Sequence, residues 1–173
     1  MRIAFGAIGK GYAANKAKQV MAAMRIQNGA VDASGDILAW GNKADGNPWV
    51  IGITNPLSKT EIFSWLEVND MAVVTSGNYE KYVEFEGQRY GHIIHPQTGW
   101  PVSGTQSVTV ICPDAELADG LATALFIMGP EKSIDLVNQL NGIETIIISD
   151  QNDVFASQNI LIDSNKIKLK NKD

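Results

Sequence analysis

The feature that most constrains the fold is a long series of short apolar runs, spanning residues 30–112 and broken by turn residues. Runs of this length, bounded by Gly, Pro, Asn and Asp, are typical of β-strands. The predicted strands are Ala30–Ala33, Ile37–Trp40, Trp49–Ile53, Ile62–Val68, Met71–Thr75, Tyr79–Phe85, Arg89–Ile94 and Ser107–Cys112. Consecutive strands of this kind favour an antiparallel sheet rather than alternating β-α-β units. A tight hairpin is predicted around Gly87, which supplies a positive φ.

Helical patterns precede and follow this series of strands. The first helix is predicted after Gly11 and ends at Asn28-Gly29, with one apolar face formed by Ala13, Ala17, Val20, Met21 and Met24. Two more helices are predicted at Asp114–Met128 and Pro130–Leu140, followed by a hairpin at Glu144–Ser149 and Val154–Ser157. The sequence therefore predicts an α+β fold, mainly an antiparallel sheet packed against helices, in a single domain that spans residues 1–173.

The C-terminal residues 166–172 alternate lysine with apolar residues or asparagine. This pattern is typical of an edge strand, but terminal lysine-rich segments are more often solvated. We therefore expect a solvated or frayed end here.

Composition excludes several classes of function. The 173-residue chain is 45% hydrophobic, which allows a core without disulfides, and it contains a single cysteine, Cys112, that we expect to be an inert core thiol. A net charge of −5 argues against a nucleic-acid partner. The sequence has no apolar run long enough to cross a membrane and no export signal of its own.

A glycine-rich segment containing Gly6, Gly9, Lys10 and Gly11 leads into the first helix. Glycines let a backbone approach a ligand closely, and a helix N-terminus attracts anions such as phosphate. The G-x-x-G-x-G spacing differs from the dinucleotide-binding pattern, and Lys10 is not followed by the Ser or Thr of a Walker A loop. A tight turn that needs small residues explains the same pattern, so both interpretations stay open.

Asp119 and Thr123 lie four residues apart in the second predicted helix, so their side chains are stacked on one face. Apolar residues occupy both sides of this helix, which we therefore expect to contact protein on both sides: Leu117, Leu121, Ala124, Leu125 and Met128 on one, Ala122 and Phe126 on the other. A buried carboxylate is costly unless it is paired or bound to a metal. Carboxylate and hydroxyl oxygens suit Mg²⁺ or Ca²⁺, and a hydrogen-bonded structural acid is the alternative.

Both histidines of the chain, His92 and His95, precede a turn that contains Pro96 and Gly99. Residues three apart in a strand point to opposite faces, so a shared metal would require a bend at Pro96. We expect one hydrogen-bonded and one exposed histidine. The sequence offers no Cys/His cluster for zinc and no local pattern of a Ser/His/Asp triad.

Five segments in this order and spacing resemble the ApbE family of FAD:protein FMN transferases: Phe5–Tyr12, Ala33–Asp36, Thr75–Glu80, His92–Gly99 and Leu117–Ala124. The resemblance covers nearly the whole chain. It implies an ApbE-like, T-fold-like architecture and a Mg²⁺-dependent enzyme that moves FMN from FAD to a Thr or Ser hydroxyl and releases AMP. The implied acceptor is a flavoprotein subunit with an Asp-x-Thr/Ser-Gly-Ala/Ser-Thr/Ser type of motif.

The resemblance also implies roles for particular residues. The metal ligands would be the side chains of Asp119 and Thr123 and the carbonyl of Ala7. Lys10 and the backbone of His92, Ile93 and Ile94 would bind the flavin nucleotide. Asp119 could also orient or deprotonate the attacking hydroxyl as a catalytic residue.

Three departures from the family pattern affect these expectations. Ala4 stands where the family commonly has Asp, and His95 replaces the acid of His-Ile-Ile-Asp-Pro. Family members are near twice this length, so we expect the C-terminal portion of a larger domain that lacks its N-terminal half and binds FAD poorly alone. The full-length form would be periplasmic, as an inner-membrane lipoprotein. An FAD pyrophosphatase and a non-catalytic flavin-binding module are the alternative functions.

Overall fold

The structure is a computed structural model that describes residues 4–55, 58–78, 82–163 and 166–170. Within these ranges the chain forms three helices, α1 (Gly9–Ala23), α2 (Ala115–Met128) and α3 (Pro130–Val137). None of these described helices is long and apolar enough to cross a membrane. The strands are β1 (Gly29–Ala33), β2 (Asp36–Trp40), β3 (Trp49–Asn55), β4 (Ser58–Val68), β5 (Met71–Gly77), β6 (Tyr82–Phe85), β7 (Gln88–Gly91), β8 (Thr105–Cys112), β9 (Glu144–Ser149), β10 (Val154–Ala156), β11 (Ile160–Asp163) and β12 (Lys166–Leu169).

These strands form two packed sheets and a separate hairpin. The first sheet has the order β1-β2-β5-β8-β9-β10, with every neighbouring pair antiparallel. The second has the order β11-β12-β4-β3, in which only the β12–β4 pair is parallel. Among the described strands, β6 and β7 pair only with each other, through a turn at Glu86 and Gly87 where both φ angles are positive. The predicted α+β fold with mainly antiparallel strands is confirmed.

The first sheet has a hydrophobic core on each of its faces. Val108 and Val110 of β8 face the helices and join Ala122 and Phe126 of α2 in one core. Ile111 of the same strand belongs to the other core, which lies between the two sheets. Successive strand residues point to opposite faces, so a strand buried on both faces is apolar along most of its length. The molecule is therefore layered as sheet, sheet and helices.

The expectation of a solvated C-terminal end is wrong for residues 166–169. Strand β12 lies inside the second sheet, between β11 and β4. Ile167 is buried in the core between the sheets, whereas Lys166 and Lys168 are exposed. The alternation thus comes from a strand with one buried face. The neighbouring strand β11 was not predicted.

The apolar face predicted for α1 is wrong, whereas the two faces predicted for α2 are confirmed in part, by the burial of Ala122, Leu125 and Phe126. In α1 the buried residues are Gly11 and Ala14, while Val20 and the C-cap residue Met24 are exposed. In α2 the core side carries Ala115, Ala118, Asp119, Ala122, Leu125 and Phe126, whereas Leu117, Ala124 and Met128 are exposed. Small residues allow α1 to approach α2 closely, so the larger apolar side chains of α1 do not mark its contact face.

The remaining differences concern element boundaries. Helix α1 begins at Gly9 rather than after Gly11, and α3 ends at Val137, before Leu140. Strand β7 ends at Gly91, so His92–Ile94 belongs to the following loop. The first residues of the predicted strand Tyr79–Phe85, residues 79–81, lie outside the described residues.

Candidate functional site

A cleft of about 600 Å³ lies where the start of α1, the middle of α2, the end of β5 and the loop after β7 meet. The structure brings all seven predicted site residues to its walls: Ala7, Lys10, His92, Ile93, Ile94, Asp119 and Thr123. These residues come from three segments that are far apart in the sequence. Their roles in metal and nucleotide binding stay predictions.

Asp119 joins the two helices of the site. Its side chain is 3% exposed, and its Oδ2 accepts a hydrogen bond of 3.0 Å from the backbone N–H of Gly11. Gly11 lies in the first turn of α1, where N–H groups lack partners within the helix. The N-cap residue of α1, Ile8, provides no side-chain cap. The carboxylate of Asp119 therefore does so from the neighbouring helix, where a negative charge also interacts favourably with the helix dipole.

Gly11 makes this arrangement possible because of the close contact between α1 and α2. A Cβ atom built on Gly11 would overlap the backbone of α2 at Ala115 and Glu116. Only a glycine fits at this position, so the predicted need for a small residue in close packing is confirmed for Gly11, although Gly11 lies in a helix rather than in a tight turn. Gly6 also lines the cleft, whereas a Cβ on Gly9 would meet open space.

Thr123 and two hydroxyl residues of β5 form the polar wall opposite α1. The hydroxyls of Ser76 and Thr123 lie 3.4 Å apart, and the hydroxyl of Thr75 is 2.9 Å from that of Thr109. Ser76 and Thr75 both line the cleft. No role was predicted from the sequence for Thr75 or Ser76. Two adjacent hydroxyl residues before a glycine at a strand end could have indicated a polar site there.

Lys10 is held at the wall of the cleft by Asp36, the first residue of β2. The ammonium nitrogen of Lys10 is 2.9 Å from Oδ1 of Asp36. The Asp36 side chain is 1% exposed, whereas that of Lys10 is 37% exposed and lines the cleft. A buried charge requires a partner. The ion pair therefore fixes the cation beside the cleft, a role for Asp36 that the sequence pattern did not indicate.

The oxygen donors of the cleft fit a hard cation better than zinc. Asp119, Thr123 and Ala7 together offer a carboxylate, a hydroxyl and a backbone carbonyl, the donor types that Mg²⁺ and Ca²⁺ prefer. The bond from Gly11 uses one oxygen of Asp119, and an ionised carboxylate has further acceptor capacity. Among the described residues no three His, Cys, Asp or Glu side chains cluster as a metal site. A cation here would therefore need water or substrate oxygens as additional ligands.

The two histidines have different environments, as predicted: one is exposed, and the other accepts a hydrogen bond from the backbone. His92 is exposed and lines the cleft with Ile93 and Ile94. His95 is half-buried, and its Nδ1 accepts a hydrogen bond of 3.2 Å from the backbone N–H of Gln97. An aspartate side chain makes the same kind of bond to the backbone two residues on in an Asx turn. The imidazole of His95 thus makes the turn contact that an aspartate at this position could make.

The other two singled-out residues do not line the cleft. Ala4 is exposed. Cys112 is buried and free, and its Sγ donates to the carbonyl of Asp114 at 3.1 Å. Burial raises the pKa of the Cys112 thiol above its usual value. The prediction of a core thiol is confirmed.

Fold and site together define an α+β protein with a cleft of about 600 Å³, lined by polar groups, between two helices and a strand end. The ApbE family model matches residues 1–147. The chain therefore belongs to the ApbE family.

Curated relatives support this assignment over most of the chain. The FAD:protein FMN transferase of Treponema pallidum is 37% identical over 171 residues, covering 93% of this chain and 47% of that protein. The Escherichia coli K12 protein of the same name is 34% identical, covering 87% of this chain and 43% of that protein. The chain thus spans about half the length of the curated relatives it matches.

Solved structures of the family have the same fold. The ApbE protein from Thermotoga maritima has a TM-score of 0.84 and 37% identity, covering 91% of this chain and 52% of that chain. The apo form of the Pseudomonas stutzeri flavinyl transferase ApbE has a TM-score of 0.78 and 34% identity, covering 91% and 50%.

Proposed function

We propose that the cleft binds FAD together with Mg²⁺ and takes part in transferring FMN to a Thr or Ser hydroxyl of a partner protein. The observation that carries this proposal is the convergence on one cleft of a buried carboxylate, a hydroxyl, a backbone carbonyl and an anchored lysine. The names of the relatives, FAD:protein FMN transferase, supply the reaction class.

Each polar group has a task in this proposal. Asp119 and Thr123 hold the cation with the carbonyl of Ala7, and Lys10 contacts a phosphate oxygen while Asp36 keeps its ammonium group in place. When bound, Mg²⁺ offsets the negative charge that develops on the phosphoryl oxygens. The backbone at His92–Ile94 lines the part of the cleft that takes the flavin nucleotide.

The proposed transfer is an in-line displacement at the FMN phosphorus. The acceptor hydroxyl oxygen forms a bond to this phosphorus, and the bond from phosphorus to the bridging pyrophosphate oxygen breaks. AMP leaves with that oxygen, and the hydroxyl proton passes to the Asp119 carboxylate. The bond from Gly11 holds this carboxylate in a fixed orientation, which favours catalysis by positioning.

The test is a titration of the chain with FAD, followed by flavin fluorescence with and without Mg²⁺. We expect Mg²⁺ to strengthen FAD binding by the wild type and by Glu116→Gln, a control on α2 outside the cleft. Asp119→Asn should reduce the Mg²⁺-dependent gain in FAD affinity at least about tenfold. Substituting even the residues that only hydrogen-bond to metal ligands changes metal affinity by that much. An unchanged Mg²⁺ effect in Asp119→Asn would contradict the metal assignment.

A further inference from the structure

The β6–β7 hairpin, whose last residue precedes the cleft residue His92, exposes apolar side chains. Strands β6 and β7 pair only with each other among the described strands, and every described β6 side chain is exposed. Val83 and Phe85 are 69% and 63% exposed and share one face of the hairpin. An isolated two-stranded hairpin is marginally stable, and exposed apolar side chains add nothing to its folding. These residues therefore point to a contact with another molecule.

The C-terminal end of this hairpin lies next to the cleft. Strand β5 ends at Gly77, which lines the cleft, and Asn78 follows it. Strand β7 finishes at Gly91, immediately before the cleft residue His92. A Cβ atom on Gly91 would overlap the Asn78 side chain, so the last residue of β7 lies against the residue that follows β5. This end of the hairpin is therefore next to the cleft residues Gly77 and His92.

The loop after the hairpin exposes two more apolar residues beside the cleft. Ile94 lines the cleft and is half exposed, and Trp100 is 70% exposed. Ile94 pairs with Pro101, and the His95 N–H donates to the carbonyl of Trp100 at 2.9 Å. The loop is thus folded back on itself and presents Trp100 from a fixed backbone. We call Val83, Phe85, Ile94 and Trp100 the apolar rim.

We propose that the apolar rim docks an extended segment of the acceptor protein, a role that rests on the proposed function. The acceptor hydroxyl must reach the phosphorus inside the cleft, so the polypeptide that carries it has to cross the cleft edge. Val83 and Phe85 share one exposed face, exposed apolar patches mark interaction sites, and Trp is enriched among the residues that dominate interface affinity. The acceptor segment therefore carries apolar residues beside its Thr or Ser.

The experiment measures peptide binding by fluorescence anisotropy. The probe is a short rhodamine-labelled peptide that carries Asp-Gly-Thr-Gly-Ala-Thr with apolar residues on both sides. We compare wild type, Phe85→Ser and Trp100→Ser, so that each part of the rim is tested separately. The control is Met24→Ser, an equally exposed apolar residue about 20 Å away along α1 from Lys10.

We expect the two rim variants to bind the peptide roughly tenfold more weakly and Met24→Ser to bind like the wild type. The proposal is overturned if the rim variants keep wild-type affinity, if the wild type does not bind the peptide, or if Met24→Ser loses as much. It is also overturned if the rim variants lose FAD affinity, or if they convert a dimer into a monomer in size-exclusion chromatography with light scattering. Peptide binding without FAD tests the rim, whereas FAD binding in the same samples tests the proposed function.

Discussion

At the scale of single residues, Asp119 has one structural task and two proposed functional tasks that compete for its oxygens. It caps the first turn of α1 through Gly11, and in the proposed function it also binds a cation and accepts the proton of the acceptor hydroxyl. Asn at this position keeps a carbonyl acceptor for Gly11 but loses the charge that a cation needs. Substitution with Asn therefore separates the structural task from the functional ones.

We predict that Asp119→Ala lowers the free energy of unfolding by about 1–3 kcal/mol, because the buried N–H of Gly11 loses its acceptor. Asp119→Asn should retain most of that stability. Urea unfolding followed by circular dichroism measures both. Equal stability losses in the two variants would contradict the capping role.

Gly11→Ala tests the close contact of the two helices. Ala normally stabilises a helix by up to about 1 kcal/mol relative to Gly, but here its Cβ would overlap the backbone of Ala115. We expect the free energy of unfolding to fall by about 1–3 kcal/mol or more. The control Gly9→Ala, where a Cβ meets open space, should be neutral or stabilising. A stabilising Gly11→Ala would refute the contact.

A site residue could be predicted from the sequence only where the chemistry of its side chain and its spacing from a neighbouring site residue indicated the same role. Asp119 and Thr123 lie one helical turn apart, so their common position was predictable. The pairing of Lys10 with Asp36 and of Asp119 with Gly11 joins residues that are distant in sequence. Such pairs depend on how α1, β2 and α2 pack, and no local pattern encodes this.

At the scale of elements, β12 shows why a local pattern was not sufficient. Its alternation fits either a strand or a solvated end, and only the position of β4 and β11 decides between them. We predict that Ile167→Ala lowers the free energy of unfolding by about 2–5 kcal/mol, since Ile167 is buried between the sheets. Lys168→Ala, on the exposed side, should stay within about 0.5 kcal/mol. Similar small effects in both variants would contradict an interior β12.

Strand β8 carries a chemical probe of the core at its end, Cys112. Only the thiolate reacts with disulfide reagents, and burial both shields this thiol and raises its pKa. We expect negligible reaction of the folded chain with a disulfide reagent at neutral pH and full reaction after unfolding. Because an unfolded thiol ionises near pH 8.5, this group favours unfolding increasingly as the pH rises above that value. Fast labelling of the folded chain would contradict a buried Cys112.

At the scale of the whole molecule, the length of the chain relative to its relatives bears on how fast it can transfer FMN. The chain spans about half the length of its curated relatives, and its cleft of about 600 Å³ lies within the usual range of ligand-binding clefts. We predict that the chain alone transfers FMN to an acceptor peptide far more slowly than the Treponema pallidum protein does. Intact-mass analysis of the peptide after incubation with FAD and Mg²⁺ measures this. Free FMN and AMP without peptide modification would instead indicate a pyrophosphatase, and efficient transfer would contradict the expectation of an incomplete site.

The most direct test of the central claim is to locate a bound cation without relying on activity. Mn²⁺ prefers the same oxygen ligands as Mg²⁺ and broadens the NMR signals of nearby nuclei. With FAD present, we predict that Mn²⁺ first removes the amide signals of Gly11, Ser76 and Thr123, and that it leaves those of Lys168 intact. Asp119→Asn should abolish this selectivity. Broadening elsewhere in the wild type, or an unchanged pattern in Asp119→Asn, would contradict a cation site in this cleft.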